Sequence, residues 1–172
     1  MRRTCVYAAS LDPITNGHLW LIGKGLSLFD HLIVAIGVNP AKRPAFDIDL
    51  RLDLVRRSLA EAGITGSVEV DQFSGRYLVR YAESKGAGFL LRGIRTEADY
   101  GYERTLRHVN SDMKPEIESV FLMPPRELAE VSSSFVRDMV GPEGWEAAVS
   151  RYVTPCVLDA LRAKAQGAGG GA

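Results

Sequence analysis

Cysteine is scarce in this chain, charge of one sign is not in excess, and long apolar runs are missing. The two cysteines, Cys5 and Cys156, stand far apart. That excludes a disulfide scaffold and any metal site with recognisable ligand spacing. No apolar run approaches the roughly 18 residues needed to cross a bilayer. The two arginines near the N-terminus precede an apolar run too short for a secretory signal, so a cytoplasmic protein is expected. Lys plus Arg number 21 and Asp plus Glu 21, giving zero net charge. A non-specific nucleic-acid binder normally carries a basic excess, so no nucleic-acid partner is expected. Neither a Ser-His-Asp order nor a Cys-His pairing is evident, which speaks against covalent catalysis. No repeat or linker interrupts the 172 residues. One domain over residues 1–165 is expected. The Gly/Ala tail at 166–172 has nothing to bury and is expected to be disordered.

What is present is an ordinary globular composition, 46% hydrophobic and 24% charged, with apolar runs alternating with helical patterns. Strands are predicted at 4–10, 31–38, 67–73, 88–93 and 119–124. Helical periodicity covers 19–29, 47–63, 77–86 and 96–110, with a short helix after the serines at 132–134 and one or two more beyond. Strands alternating with helices imply βαβ units and a parallel sheet, hence an α/β fold. Ligands in such sheets bind beyond the carboxyl ends of the strands.

The stretch DPITNGHLW at 12–20 lies at such an end. Asp12-Pro13 signals a turn, because proline pushes its predecessor away from the helical region. Thr15 and His18, three residues apart, share one face of the first helical turn. That turn exposes backbone N–H groups that attract anions, and a phosphate is the natural guest.

Four clusters follow strands and should converge at one sheet edge: Ser10 with Thr15-Asn16-Gly17-His18, Lys42-Arg43, Arg92-Gly93-Ile94-Arg95, and Val131-Ser132-Ser133-Ser134. Each offers hydrogen-bond donors or positive charge, and none offers a tight carboxylate pair. That inventory suits holding a polyphosphate, and phosphoryl-type transfer depends mostly on positioning and charge stabilisation. Plainer readings stand beside these. Lys42 also reads as a solvated loop lysine, Arg92 and Arg95 as partners in structural ion pairs with Glu97 or Asp99, and the serines as an N-cap alone. His31 and His108 read as packing or surface residues, Tyr100 and Tyr102 as core or subunit interface, and Trp20 and Trp145 as packing.

DPITNGH, the Pro-Ala-Lys-Arg-Pro loop, LLRGIRTEADYGYE, VNSDMKPEIESVFLMP and VSSSFVRD, in that order, resemble the phosphopantetheine adenylyltransferases. These are nucleotidyltransferases with a (His/Thr)-x-Gly-His motif and a downstream Ser-Ser-(Ser/Thr)-x-x-(Lys/Arg) motif. The resemblance implies a Rossmann-like, doubly wound five-stranded parallel sheet. It implies transfer of AMP from ATP to 4′-phosphopantetheine by direct attack at the α-phosphate, giving dephospho-CoA and pyrophosphate. His18 would steady charge on the α-phosphate, with Thr15, Gly17 and the helix start holding phosphates. Lys42 and Arg92 would hold the acceptor's phosphate, with Ser10 beside it. Ser10, Leu11, Gly93, Ile94, Arg95 and Glu103 match ATP-contacting positions. Leu128, Ala129, Glu130, Val131, Ser132, Ser133 and Ser134 match the triphosphate loop, and Leu78 and Asn110 the pantetheine arm. Mg²⁺ would ride mainly on phosphate oxygens rather than on a protein cage. A homohexamer is implied.

The sequence departs from the family pattern in three patches. Ala8-Ala9-Ser10-Leu11 stands for Pro-Gly-Thr-Phe, and Leu128-Ala129-Glu130-Val131 replaces an aromatic-rich run and adds a carboxylate. Arg76-Tyr77 alters the loop shaping the pantetheine pocket, and Trp20 replaces a usual acidic residue. The altered patches touch both substrates, so a paralogue transferring AMP or CMP to another small phosphate or phosphonate is a second expectation. A CoA- or nucleotide-binding sensor is a third.

Overall fold

The computed structural model describes residues 3–41 and 43–169. Five strands, β1 (Thr4–Ala9), β2 (His31–Val38), β3 (Val68–Ser74), β4 (Phe89–Gly93) and β5 (Glu118–Leu122), form one parallel sheet in the order β3-β2-β1-β4-β5. The expected doubly wound α/β sheet is therefore present. The chain runs outward from β1 to β3, then returns to place β4 on the other side of β1. That switch point opens a crevice at the carboxyl ends of β1 and β4.

Both sheet faces are covered, and the period of two along each strand divides the core. Cys5 and Tyr7 of β1, Leu32, Val34 and Ile36 of β2, and Leu91 of β4 join one buried cluster. It is completed by α1 (Asn16–Leu28), α2 (Ile48–Glu61) and α7 (Pro155–Gly169). Val6, Ala8, Ile33, Ala35 and Leu90 point the other way, against Val79, Tyr81 and Ala82 of α3 (Leu78–Ser84). α4 (Glu97–Met113) follows β4, and the short α5 (Ser133–Asp138) and α6 (Trp145–Val149) precede α7.

Boundaries shift where caps outrank periodicity. α1 begins at Asn16, three residues before its apolar pattern, because Thr15 is extended (φ −132°, ψ 170°) and acts as N-cap. α2 starts at Ile48, with the Asp47 carboxylate accepting from Leu50 N at 2.8 Å. α4 runs on to Met113, two residues before Pro115, and β5 ends at Leu122, ahead of Pro124-Pro125. The first part of the glycine/alanine tail is helix. α7 continues through Gly169, since a packed helix propagates at little cost and alanine favours it. Residues 170–172 lie outside the described residues.

Candidate active site

The β1–α1 loop is held from several sides. The Asp12 carboxylate, buried, accepts from Ala45 N at 2.7 Å and Phe46 N at 2.9 Å. Arg51, a buried α2 cation, donates from Nη1 to the Ser10 carbonyl at 2.9 Å. Ser133 donates from Oγ to the Pro13 carbonyl at 2.7 Å, and Arg137 Nη1 donates to the Asp12 carbonyl at 2.5 Å. Leu11 takes φ 45°, a left-handed conformation that a branched side chain adopts only when its surroundings enforce it. Its side chain is fully buried in the core. The Leu11 side chain thus anchors the loop to the core.

At the helix start, the Asn16 backbone N–H donates to the Tyr152 carbonyl at 2.8 Å, so one of the helix's first donors is spent on the protein itself. The Thr15 backbone N–H donates to His18 Nδ1 at 3.0 Å, and Thr15 Oγ1 lies 2.8 Å from the same nitrogen. A nitrogen that accepts from an amide carries no proton. The His18 tautomer therefore has its hydrogen on Nε2, as a neutral donor. Burial, aided by the Arg95 charge, lowers the His18 pKa to about 4. Thr15 is itself buried, and its contacts with Nδ1 orient His18.

Arg92 extends from the end of β4. Its Nε donates to Glu103 Oε2 at 2.8 Å, Nη2 to Glu103 Oε1 at 2.5 Å, and Nη1 to the Ala8 carbonyl at 2.6 Å. Three of the five guanidinium N–H groups are thus engaged, leaving two for a ligand. Glu103, expected at a nucleotide-contacting position, spends both carboxylate oxygens on Arg92. Arg95 pairs with Asp99, Nε to Oδ2 at 3.1 Å, which is one of the structural ion pairs foreseen for it.

These parts enclose a cleft of about 320 Å³. Of the expected site residues, Ser10, Gly17, His18, Arg92, Gly93, Arg95, Glu103, Leu128, Val131 and Ser132 to Ser134 line it. Ser132 is at once the N-cap of α5, its Oγ accepting from Phe135 N at 3.1 Å. A Cβ on Gly17 would meet the Val131 carbonyl at 3.1 Å, so the helix start and the serine loop are in close backbone contact. The structure does not bring Leu11, Thr15, Ile94, Ala129, Glu130, Leu78 or Asn110 to the cleft wall. Leu78 packs against the α3-side core, and Glu130 is solvent-exposed. Arg76 lies back on α3, its guanidinium 5.2 Å from the Tyr81 ring centroid and Nη1 3.3 Å from Ser84 Oγ. Lys42 lies outside the described residues. Tyr7, Leu21, Asp99, Pro124 and Arg137 line the cleft without having been foreseen as site residues. The signal for Arg137 was present, as the closing residue of Ser-Ser-Ser-x-x-Arg. Tyr7, inside an apolar strand, carried none.

The result is a concave site with three arginines and a neutral imidazole N–H, in which the two lining carboxylates are committed to arginines. Among the described residues no three His, Cys, Asp or Glu side chains gather as a metal cage. Such a surface receives phosphate groups.

Comparison with known proteins agrees. The cytidylyltransferase-like family model matches residues 6–139. Curated relatives named phosphopantetheine adenylyltransferase include one from Chromobacterium violaceum, 50% identical over 151 residues, spanning 88% of this chain and 90% of its own. Another, from Neisseria meningitidis serogroup B, is 50% identical over 167 residues, 95% of each chain. The chain belongs to the phosphopantetheine adenylyltransferase family. It is a nucleotidyltransferase. Solved structures share the fold at low identity. The nicotinic acid mononucleotide adenylyltransferase of Plasmodium falciparum, complexed with NaAD, superposes with TM-score 0.70 at 12% identity over 95% of this chain and 96% of that one. A putative nicotinate-nucleotide adenylyltransferase from Vibrio parahaemolyticus gives 0.65 at 17% identity, covering 94% and 99%. The Ser133–Pro13 hydrogen bond ties the serine loop to the turn just ahead of Thr15-Asn16-Gly17-His18.

Proposed function

We propose that this nucleotidyltransferase moves AMP from ATP to 4′-phosphopantetheine, giving dephospho-CoA and pyrophosphate in coenzyme A synthesis. An oxygen of the acceptor's phosphate attacks the α-phosphorus, the new P–O bond forms, and the α–β bond breaks to release pyrophosphate. The observation that carries this reading is the His18 Nε2–H donor facing one cleft with Arg92, Arg95 and the serine loop, in a chain 50% identical to relatives of that name. His18 donates to an α-phosphate oxygen as charge develops on it. Arg92, held by Glu103, uses its two remaining N–H groups on the acceptor's phosphate, and Lys42 assists there. Arg95, Arg137 and the start of α5 hold the leaving phosphates. Mg²⁺ would be held through the phosphates that Arg95, Arg137 and the serine loop bind, rather than by a carboxylate cage, and would supply charge neutralisation there.

The chain works in the cytoplasm as a homo-oligomer, a hexamer by family resemblance. Exposed Tyr102, Val109 and Met123 on α4 and just past β5 supply apolar surface for subunit contact. No described helix is long and apolar enough to cross a membrane.

A second reading changes the base or the acceptor. It is favoured by the cytidylyltransferase-like match and by Leu128, an aliphatic residue on the cleft wall where the family pattern has an aromatic. Pyrophosphate release with Mg²⁺ and 4′-phosphopantetheine, run in parallel with ATP, CTP, GTP and UTP, separates the two. Fast release with ATP alone supports the first. Release with CTP, or silence in every well from folded protein, supports the second.

A further inference from the structure

Tyr7 is 4% exposed, on β1 opposite Val34 and Leu91, yet it lines the cleft. A buried phenol ordinarily finds a hydrogen-bond partner. The Tyr7 hydroxyl has none among the described residues, and only burial and the charges of Arg92, Arg95 and Glu103 act on it. No enclosed polar side-chain atom in the described protein is left unpaired, so this hydroxyl is not enclosed. The open space beside it is the cleft.

The phenol therefore sits at the floor of a phosphate-receiving site, within the field of two guanidinium groups. Burial pushes its pKa above the ordinary tyrosine value, so it stays protonated and keeps a hydrogen to give. Neither neighbouring carboxylate accepts it: Glu103 is turned to Arg92 and Asp99 to Arg95. An incoming phosphoryl oxygen is the acceptor that this arrangement lacks.

We propose that the Tyr7 hydroxyl donates a hydrogen bond to a phosphoryl oxygen of substrate bound between Arg92 and Arg95, making Tyr7 a further binding residue of the reaction. Unlike the arginines it adds no charge. It selects for an acceptor atom at one point on the cleft floor. The inference rests on the nucleotidyltransferase reading of the cleft.

The test is Tyr7→Phe, which keeps the ring and removes one oxygen. A neutral donor to a charged group supports a fall in kcat/KM of about 10- to 100-fold. The melting temperature is expected to stay within a few degrees of the parent. Binding of ATP with Mg²⁺ and of 4′-phosphopantetheine is measured by calorimetry, and ³¹P spectra of each bound ligand are recorded for both proteins. The proposal expects weaker binding of one ligand and a displaced ³¹P resonance for a phosphate of that ligand. Unchanged kcat, KM, dissociation constants and ³¹P shifts would overturn it. So would a loss matched by a lowered melting temperature with ³¹P shifts unmoved, since that is a packing effect. If the parent enzyme turns over no nucleotide with 4′-phosphopantetheine, the acceptor reading fails. Tyr7 is then judged on ATP binding and ³¹P shifts alone.

Discussion

Arg92 and Glu103 face each other in a two-point ion pair, Nε to Oε2 at 2.8 Å and Nη2 to Oε1 at 2.5 Å, so both carboxylate oxygens are turned to the guanidinium. The pair holds Arg92, which also donates to the Ala8 carbonyl. Glu103→Gln is expected to raise the KM for the acceptor about tenfold while leaving the KM for ATP within twofold. Glu103→Ala strands a largely buried guanidinium and is expected to cost roughly 3 kcal/mol of stability. Steady-state kinetics with each substrate varied in turn, and chemical denaturation, check both. An equal rise in the two KM values would place Glu103 on the nucleotide.

His18 is expected to titrate near pH 4 rather than near 6.5. In the folded protein it stays neutral where the unfolded chain takes up a proton. Its contribution to stability thus falls as pH drops from about 6.5 towards 4, and is constant above that window. NMR titration of the His18 ring measures the midpoint directly. His18→Ala is expected to lower kcat by about 10²- to 10³-fold with an unchanged fold. A ring midpoint above 6 would contradict the neutral-donor role.

Ser133 donates its hydroxyl across the molecule to the Pro13 carbonyl at 2.7 Å in a buried setting. Ser133→Ala leaves that carbonyl without its partner. A loss of about 1–2 kcal/mol is expected from urea denaturation, with activity falling in proportion to the loosened loop.

Gly17 touches the Val131 carbonyl so closely that an added Cβ would lie at 3.1 Å from it. Alanine is the better helix former, so Gly17→Ala should cost little stability. The serine loop must give by a few tenths of an ångström, and the KM for ATP should rise several-fold. Unchanged kinetics would mean that the loop adjusts freely.

Both cysteines are buried, and burial pushes the Cys5 thiol up to about 12. Thiolate is the reactive form. A thiol-disulfide reagent should therefore label neither residue in native protein on the minute scale, and both after denaturation.

The alternation of strand and helix was legible because it is local. Period-two runs such as HLIVAIGV and helical patterns such as DLRLDLVRRSL are set by neighbours in the chain, and β2 runs over His31–Val38 as predicted. The motifs carried the cleft in the same way, since Gly17, His18, Arg92, Arg95 and the serines each follow a strand end, and a parallel sheet collects strand ends on one side. Less legible were roles that depend on what lies opposite. The Arg95–Asp99 pair was open to the sequence, since four residues separate the two on one chain segment, whereas the pairing of Arg92 with Glu103 appears only once α4 sets Glu103 beside the end of β4. That the Leu11 side chain packs into the core, and that Tyr7 reaches the cleft from inside an apolar strand, depends likewise on what lies opposite them.

By itself, then, the sequence determined the α/β class, the place of the cleft motifs at strand ends and the family, because periodicity, turn residues and motif spacing are properties of contiguous chain. Only the tertiary structure decided which donors remain available for substrate. That depends on pairings across long separations, such as Ala8 with Arg92 and Pro13 with Ser133, and on which side chains the packed core removes from water.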